Sequence, residues 1–168
     1  MPTKKRAKRA RAPRVDRPHM PGYGIKTGRK GLISWSEAER RLTRSHNYWL
    51  STTRPDGAPH SMPVWGIWHE GRFYFSTGRQ SRKGRNLAAN SRCVVGTELL
   101  NKPCILEGEA HEVADRSLIK SLVAVYARKY DWKFEGEFNE PMFEMKPRTA
   151  FAWTEFHLTT SATRWHFG

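Results

Sequence analysis

Seven side chains between Ser76 and Arg85 are of the types that hold a phosphate: Ser76, Thr77, Arg79, Ser81, Arg82, Lys83 and Arg85. Guanidinium and ammonium groups give charge-assisted hydrogen bonds to phosphate oxygens, hydroxyls add neutral ones, and a helix that opens there favours an anion at its N-terminal end. Without a ligand, the same composition is a solvated charge run. The Gly-x-x-x-x-Gly-Lys-Ser/Thr spacing of a Walker loop is absent. So are a Gly-x-Ser-x-Gly elbow and a Cys-His pairing, and no catalytic residue is assigned. Cys93 and Cys104 stand in separate predicted strands without ligand-like spacing, which argues against both a metal site and a disulfide framework.

The elements that must position this loop follow from pattern. Overlapping capping boxes at Ser34-x-x-Glu37 and Ser36-x-x-Glu39 open a helix of about ten residues ending near His46. Tyr48–Thr53, Ala58–Trp68 and Arg72–Thr77 read as three antiparallel strands of a meander, joined by turns at Pro55-Asp56-Gly57 and Glu70-Gly71. Pro59 and Pro63 restrict where the second can donate to its neighbours. Lys83–Ala89 reads as a short helix, Arg92–Thr97 and Cys104–His111 as strands, and apolar positions between Asp115 and Tyr130 recur at helical spacing. Phe143–Met145 and Phe151–Trp153 are expected as closing strands. The sum is a mainly β (α+β) antiparallel barrel and not a parallel βαβ sheet.

The 168 residues fit one domain that buries roughly two thirds of the surface of its unfolded chain. The net charge of +14 is unevenly spread: residues 1–30 carry eleven Lys or Arg against Asp16 alone, a net +10, which leaves +4 for the remainder. The globular part is therefore only mildly basic. Residues 1–17 are expected to be a disordered basic arm, with weak nonspecific nucleic-acid contact as its one partner class. Residues 18–31 are expected to form an extended strap packed on the domain or a neighbouring subunit, or else a linker, and residues 32–168 the folded domain. No apolar run is long enough for a membrane span, and the N-terminal residues lack the apolar stretch of a signal peptide. With two unpaired cysteines, the expected location is cytoplasmic.

The order Met62-Pro-Val-Trp-Gly-Ile-Trp68, hairpin, Phe73-Tyr-Phe-Ser-Thr77, then Ser81-Arg-Lys-x-x-Asn-Leu-Ala-x-Asn90 resembles the pyridoxamine 5'-phosphate oxidase-like family of flavin- and deazaflavin-binding split β-barrels. Gly57-x-Pro-His60 and Thr163-Arg-Trp-x-Phe167 extend the resemblance over most of residues 32–168. It implies a homodimer of six-stranded antiparallel split β-barrels with flanking helices and a cofactor in each of two interface grooves. By the same resemblance, His60, Met62, Pro63, Val64 and Trp65 would lie along the ring, with Phe75 at the end of the next strand. Ser76, Thr77, Arg82 and Lys83 would hold the ribityl phosphate, Asn86 would close the site, and Trp165 would reach the ring, from its own chain or from the partner chain. The cofactor would be FMN or, alternatively, coenzyme F420, whose anionic tail would also use Arg79 and Arg85. A substrate-phosphate cluster near the C-terminus has only Arg164 to offer, which argues against pyridoxamine phosphate as the substrate.

Three functions fit. The first is a flavin-dependent oxidoreductase transferring hydride to or from a small conjugated or heteroaromatic substrate. The second is a non-catalytic flavin or haem carrier of the same fold. The third is a nucleic-acid-associated protein acting through the basic arm. Hydride transfer is the cofactor's chemistry, so the first needs no nucleophile motif.

Overall fold

The computed structural model describes residues 13–133 and 136–168. Residues 1–12, and with them most of the expected basic arm, lie outside the described residues. The chain runs β1 (Arg14–Asp16), α1 (Trp35–Arg44), β2 (Tyr48–Thr53), β3 (Pro59–Val64), β4 (Ile67–His69), β5 (Arg72–Ser76), α2 (Arg82–Ala89), β6 (Arg92–Thr97), β7 (Cys104–Glu112), α3 (Arg116–Tyr130) and β8 (Met142–Ala152). A 3-10 turn at Glu155–His157, α4 (Leu158–Ser161) and β9 (Thr163–His166) complete it. Every strand pairing is antiparallel, and six strands follow the order β3-β2-β6-β7-β8-β5 without closing, as a mainly β split barrel requires.

Strand β8 explains how the barrel splits. It is one strand of eleven residues, where two separate closing strands were expected. One of its edges pairs along β7, while the other pairs with β5 over residues 142–145 and with β9 over residues 149–152. Pro147 interrupts the apolar pattern and donates no N–H, and it sits where the β7 register shifts between Glu107 and Gly108.

The expected meander is also interrupted. Its second strand breaks at Trp65-Gly66 into β3, which pairs with β2, and β4, which pairs with β5. A Cβ at Gly66 would lie 2.1 Å from the Phe73 ring, so only glycine lets the chain cross there. The break leaves the outer edge of β3 without a partner strand among the described residues.

Two apolar clusters result. The barrel interior gathers Leu42, Tyr48, Leu50, Phe73, Phe75, Val95, Leu106, Met145 and Trp165. The second lies between α3 and the outer face of β4 and β5, around Ile67, Tyr74, Leu122, Tyr126 and Met142. Strand β5 is covered on both faces, which is why Phe73, Tyr74 and Phe75 are all buried.

The N-terminal segment departs from expectation. Disorder through residue 17 does not hold, because Arg14–Asp16 adds β1 to the edge of β9. The Asp16 carboxylate accepts hydrogen bonds from Arg164 at 2.8 and 3.1 Å and lies 3.0 Å from His166 Nε2; the Arg164 contact holds its pKa below the ordinary value. Arg164 is thus committed to Asp16. The Arg17 guanidinium donates to the carbonyls of Gly28, Lys30, Thr160 and Ala162 at 2.6–3.1 Å. Residues 18–31 form a series of turns held by that side chain and by Lys26 N–H on Thr159 O at 2.8 Å, not an extended strap.

Candidate functional site

A cleft of about 320 Å³ opens between the end of β3, the end of β5 and α3. Six of the residues expected at a cofactor line it: Pro63, Val64, Trp65, Ser76, Thr77 and Lys83. Alternation along β5 selects among neighbours. Ser76 shares a face with Tyr74 toward α3, whereas Phe75 points into the barrel, where it stacks on Phe143 with ring centroids 5.4 Å apart. Phe75 is therefore a core residue, contrary to expectation.

The polar end of the cleft is set by α2. Its N-cap Ser81 accepts from Gly84 N–H at 3.0 Å and lies 2.9 Å from the Thr77 hydroxyl, so the loop from β5 closes tightly on the helix start. A Cβ at Gly84 would stand 2.4 Å from the Gly78 carbonyl oxygen, and glycine alone permits this approach. Lys83 faces the cleft, and among the described residues no acid lies within ion-pairing distance of it. Arg82 is exposed beside it without lining the cleft. Arg79 turns away to pair with Glu112, and so is spent on a protein carboxylate. His60, on β3, does not line the cleft; partial desolvation and the positive charges of Arg54, Lys83 and Arg82 hold it below its ordinary pKa. Met62 stands exposed on β3, outside the cleft lining.

Two expected residues belong elsewhere. Asn86 is fully buried under α2, where its Nδ2 donates to Thr52 Oγ1 at 2.9 Å and its Oδ1 has no partner among the described residues. It anchors the helix to β2 and does not close the site. Trp165 is 2% exposed on the inward face of β9, packed edge-on to Trp35 at 5.3 Å, so its indole does not reach the cleft of its own chain.

Sequence reasoning missed the opposite wall, formed by Val123 and Tyr126 of α3 together with Trp132, Phe138, Glu140 and Met142. Asp131 ends α3 in the left-handed region at φ 47°, and Trp132 N–H returns to Ala127 O at 2.9 Å, which folds Trp132 back over the cleft. Val123 and Tyr126 lie three apart on one helix face, a spacing visible in sequence but shared by every core-facing position.

Trp65 sits where the walls meet. Its indole is 44% exposed and stacks on Tyr130 at 4.4 Å with the planes 8° apart. The Tyr130 hydroxyl accepts from Gly66 N–H at 2.8 Å and lies 2.8 Å from His46 O and 2.9 Å from Gly66 O. Lys129 Nζ donates to Gly66 O at 2.8 Å and to the Tyr48 hydroxyl at 2.7 Å. Burial pushes the Lys129 pKa down to about 8 and the Tyr130 phenol up to about 12. The last turn of α3 therefore holds both polar groups of Gly66 and fixes the strand break that presents Trp65.

Nothing among the described residues offers a metal site, and the two cysteines are buried thiols whose pKa values are raised to about 12 by desolvation. Among the described residues no helix is long and apolar enough to cross a membrane.

An aromatic slot beside a strand edge, with hydroxyls and a lysine that makes no ion pair among the described residues, fits a planar ring carrying a phosphate. A family model described as pyridoxamine 5'-phosphate oxidase matches residues 35–160. No curated protein matches the chain. Among solved structures, an F420 reductase is 20% identical with a TM-score of 0.57, the alignment covering 67% of this chain and 94% of that one. A FAD-binding protein from Mesorhizobium loti is 17% identical with a TM-score of 0.58, covering 79% and 95%. A conserved hypothetical protein from Mycobacterium tuberculosis is 19% identical with a TM-score of 0.67, covering 80% and 92%. At these identities the structures share the fold. With residues 35–160 matched by the family model, the chain belongs to the pyridoxamine 5'-phosphate oxidase family.

Proposed function

We propose that the protein is a flavin-dependent oxidoreductase that binds FMN, or alternatively coenzyme F420, in the cleft and acts on a small conjugated or heteroaromatic substrate. The observation that carries this reading is Lys83: a lysine with no ion pair among the described residues, lining an aromatic-walled cleft together with Ser76 and Thr77. A bound flavin or deazaflavin supplies hydride chemistry. The chain's own residues do the rest. Lys83, Thr77 and the start of α2 bind the phosphate, with Arg82 adding positive charge at the rim. The free edge of β3 presents backbone groups to the ring, and Trp65, Tyr126 and Trp132 exclude water from its faces. The similarity to an F420 reductase and to a FAD-binding protein supports a cofactor of this class.

A cleft bordered by an unpaired strand edge is open on one side, and a second copy of the chain would supply the missing wall. We therefore propose a homodimer. Sedimentation at micromolar concentration is expected to give the dimer; a monomer that binds cofactor tightly would contradict it. The cofactor reading is tested by the absorbance spectrum and mass of the ligand that copurifies. A yellow protein that bleaches with reductant and releases FMN or F420 is expected. Colourless protein that takes up neither on titration would overturn the reading.

A further inference from the structure

A second hollow, of about 540 Å³, adjoins the cleft and shares Val123 and Phe138 with it. Its α3 wall carries Arg116, Ile119, Lys120 and Val123, a single helix face at three- and four-residue spacing. Arg116 and Lys120, one turn apart, make no ion pair among the described residues, whereas Arg72, Arg79, Arg148 and Arg164 each hold a carboxylate. Glu137 lines the opposite wall and pairs with neither, so the described lining residues carry a net positive charge. Between them, the cleft and the hollow present apolar and aromatic side chains around the shared Val123 and Phe138, with Lys83 at the cleft end and Arg116 with Lys120 at the hollow end, none of the three in an ion pair among the described residues. A single cofactor phosphate accounts for the first end only.

Resting on the cofactor reading above, we propose that the hollow at Arg116 and Lys120 binds the carboxylate of a planar, conjugated carboxylic acid substrate whose unsaturated part enters the cleft past Val123 and Phe138. A carboxylate there meets two positive charges, while the adjoining apolar wall takes the conjugated carbon skeleton. Because both cations reach solvent, their contribution depends on ionic strength.

The test uses trans-cinnamate and its neutral isostere cinnamamide, titrated at low and high salt into the full chain, ligand-free and FMN-loaded. The wild-type protein is compared with the double variant Arg116→Gln, Lys120→Gln. Cinnamate is expected to bind more tightly than cinnamamide at low salt and to lose roughly three- to tenfold in affinity in the double variant, with cinnamamide and FMN binding unchanged. Equal affinity for the two probes, or a cinnamate affinity that survives the double substitution, overturns the proposal. A double variant that weakens coenzyme F420 but not cinnamate also overturns it, by assigning the hollow to that cofactor's acidic tail. FMN binding is read in the same samples. Its absence from the wild-type protein would bring down the cofactor reading, and the ligand-free arm would still decide the carboxylate site.

Discussion

The sheet-side wall of the cleft brings hydroxyls, an ammonium group and an unpaired strand edge, whereas the helix-side wall brings Val123, Tyr126, Trp132 and Phe138 and, apart from Glu140, nothing charged. The first wall comes from one stretch of chain, residues 63–83, in which polar groups follow one another at the end of a strand and the start of a helix. The second is assembled from α3 and the segment after it. Binding groups are thus local in sequence, and the surface that dries and shapes the slot is not. Lys83 and Lys129 show the same division. Lys83 faces the cleft without an acidic partner among the described residues, while Lys129 is turned inward onto Gly66 and Tyr48 and acts on the site through the backbone it holds.

If that division is right, changes on the helix side act first on stability and reach the ligand indirectly. The largest such effect is expected for Tyr130→Phe, which leaves Gly66 N–H without its acceptor at the strand break. A loss of about 1–3 kcal/mol is expected in urea unfolding. Trp65 fluorescence should change with it, since the stack on Tyr130 loses its anchor. A variant as stable as wild type would show that the break does not depend on α3.

A smaller effect separates Lys129 from Lys83. The folded-state pKa of Lys129, about 8, lies below the unfolded value of about 10.4, so between these pH values the unfolded chain holds a proton that the folded chain has released. That difference makes stability rise with pH across the window. The buried thiols of Cys93 and Cys104, raised to about 12, act in the opposite sense above about pH 8.5, so the comparison must be made against Lys129→Met. Relative to that variant, wild type should gain stability from pH 8 to 10, by at most about 1.4 kcal/mol per pH unit. A pH-independent gap would mean that Lys129 is not desolvated where it stands.

The two walls also differ in how far they could be read from sequence. The cap at Ser34, the alternation in Tyr48–Thr53 and the periodicity of α3 are local signals, and each led to the element observed. Of the residues expected at a cofactor, three from the basic loop (Ser76, Thr77 and Lys83) and three from the strand before it (Pro63, Val64 and Trp65) line one cleft. Phe75, Asn86 and Trp165 were misplaced because facing is decided by which partner covers each side of a strand or helix. Phe75 and Trp165 alternate into the barrel, and Asn86 faces β2. The single long β8 was hidden because Lys146, Pro147 and Arg148 break its apolar pattern, and only pairing with β7 across a register shift carries the strand through them. Strand β1 was hidden by its charge: Asp16 and Arg17 order that segment through Arg164, His166 and four backbone carbonyls, partners about 10 to 150 positions away in sequence.

The central claim, that the sheet-side wall binds a phosphorylated ring through Lys83, is tested most directly by calorimetric titration of FMN into ligand-free wild-type protein and into Lys83→Ala. Loss of a charge-assisted hydrogen bond predicts a dissociation constant about ten- to a hundredfold higher, equivalent to roughly 1.5–3 kcal/mol, with the thermal midpoint of the ligand-free protein unchanged. Equal affinity in the two proteins, at equal stability, would contradict the assignment of this cleft as the cofactor site.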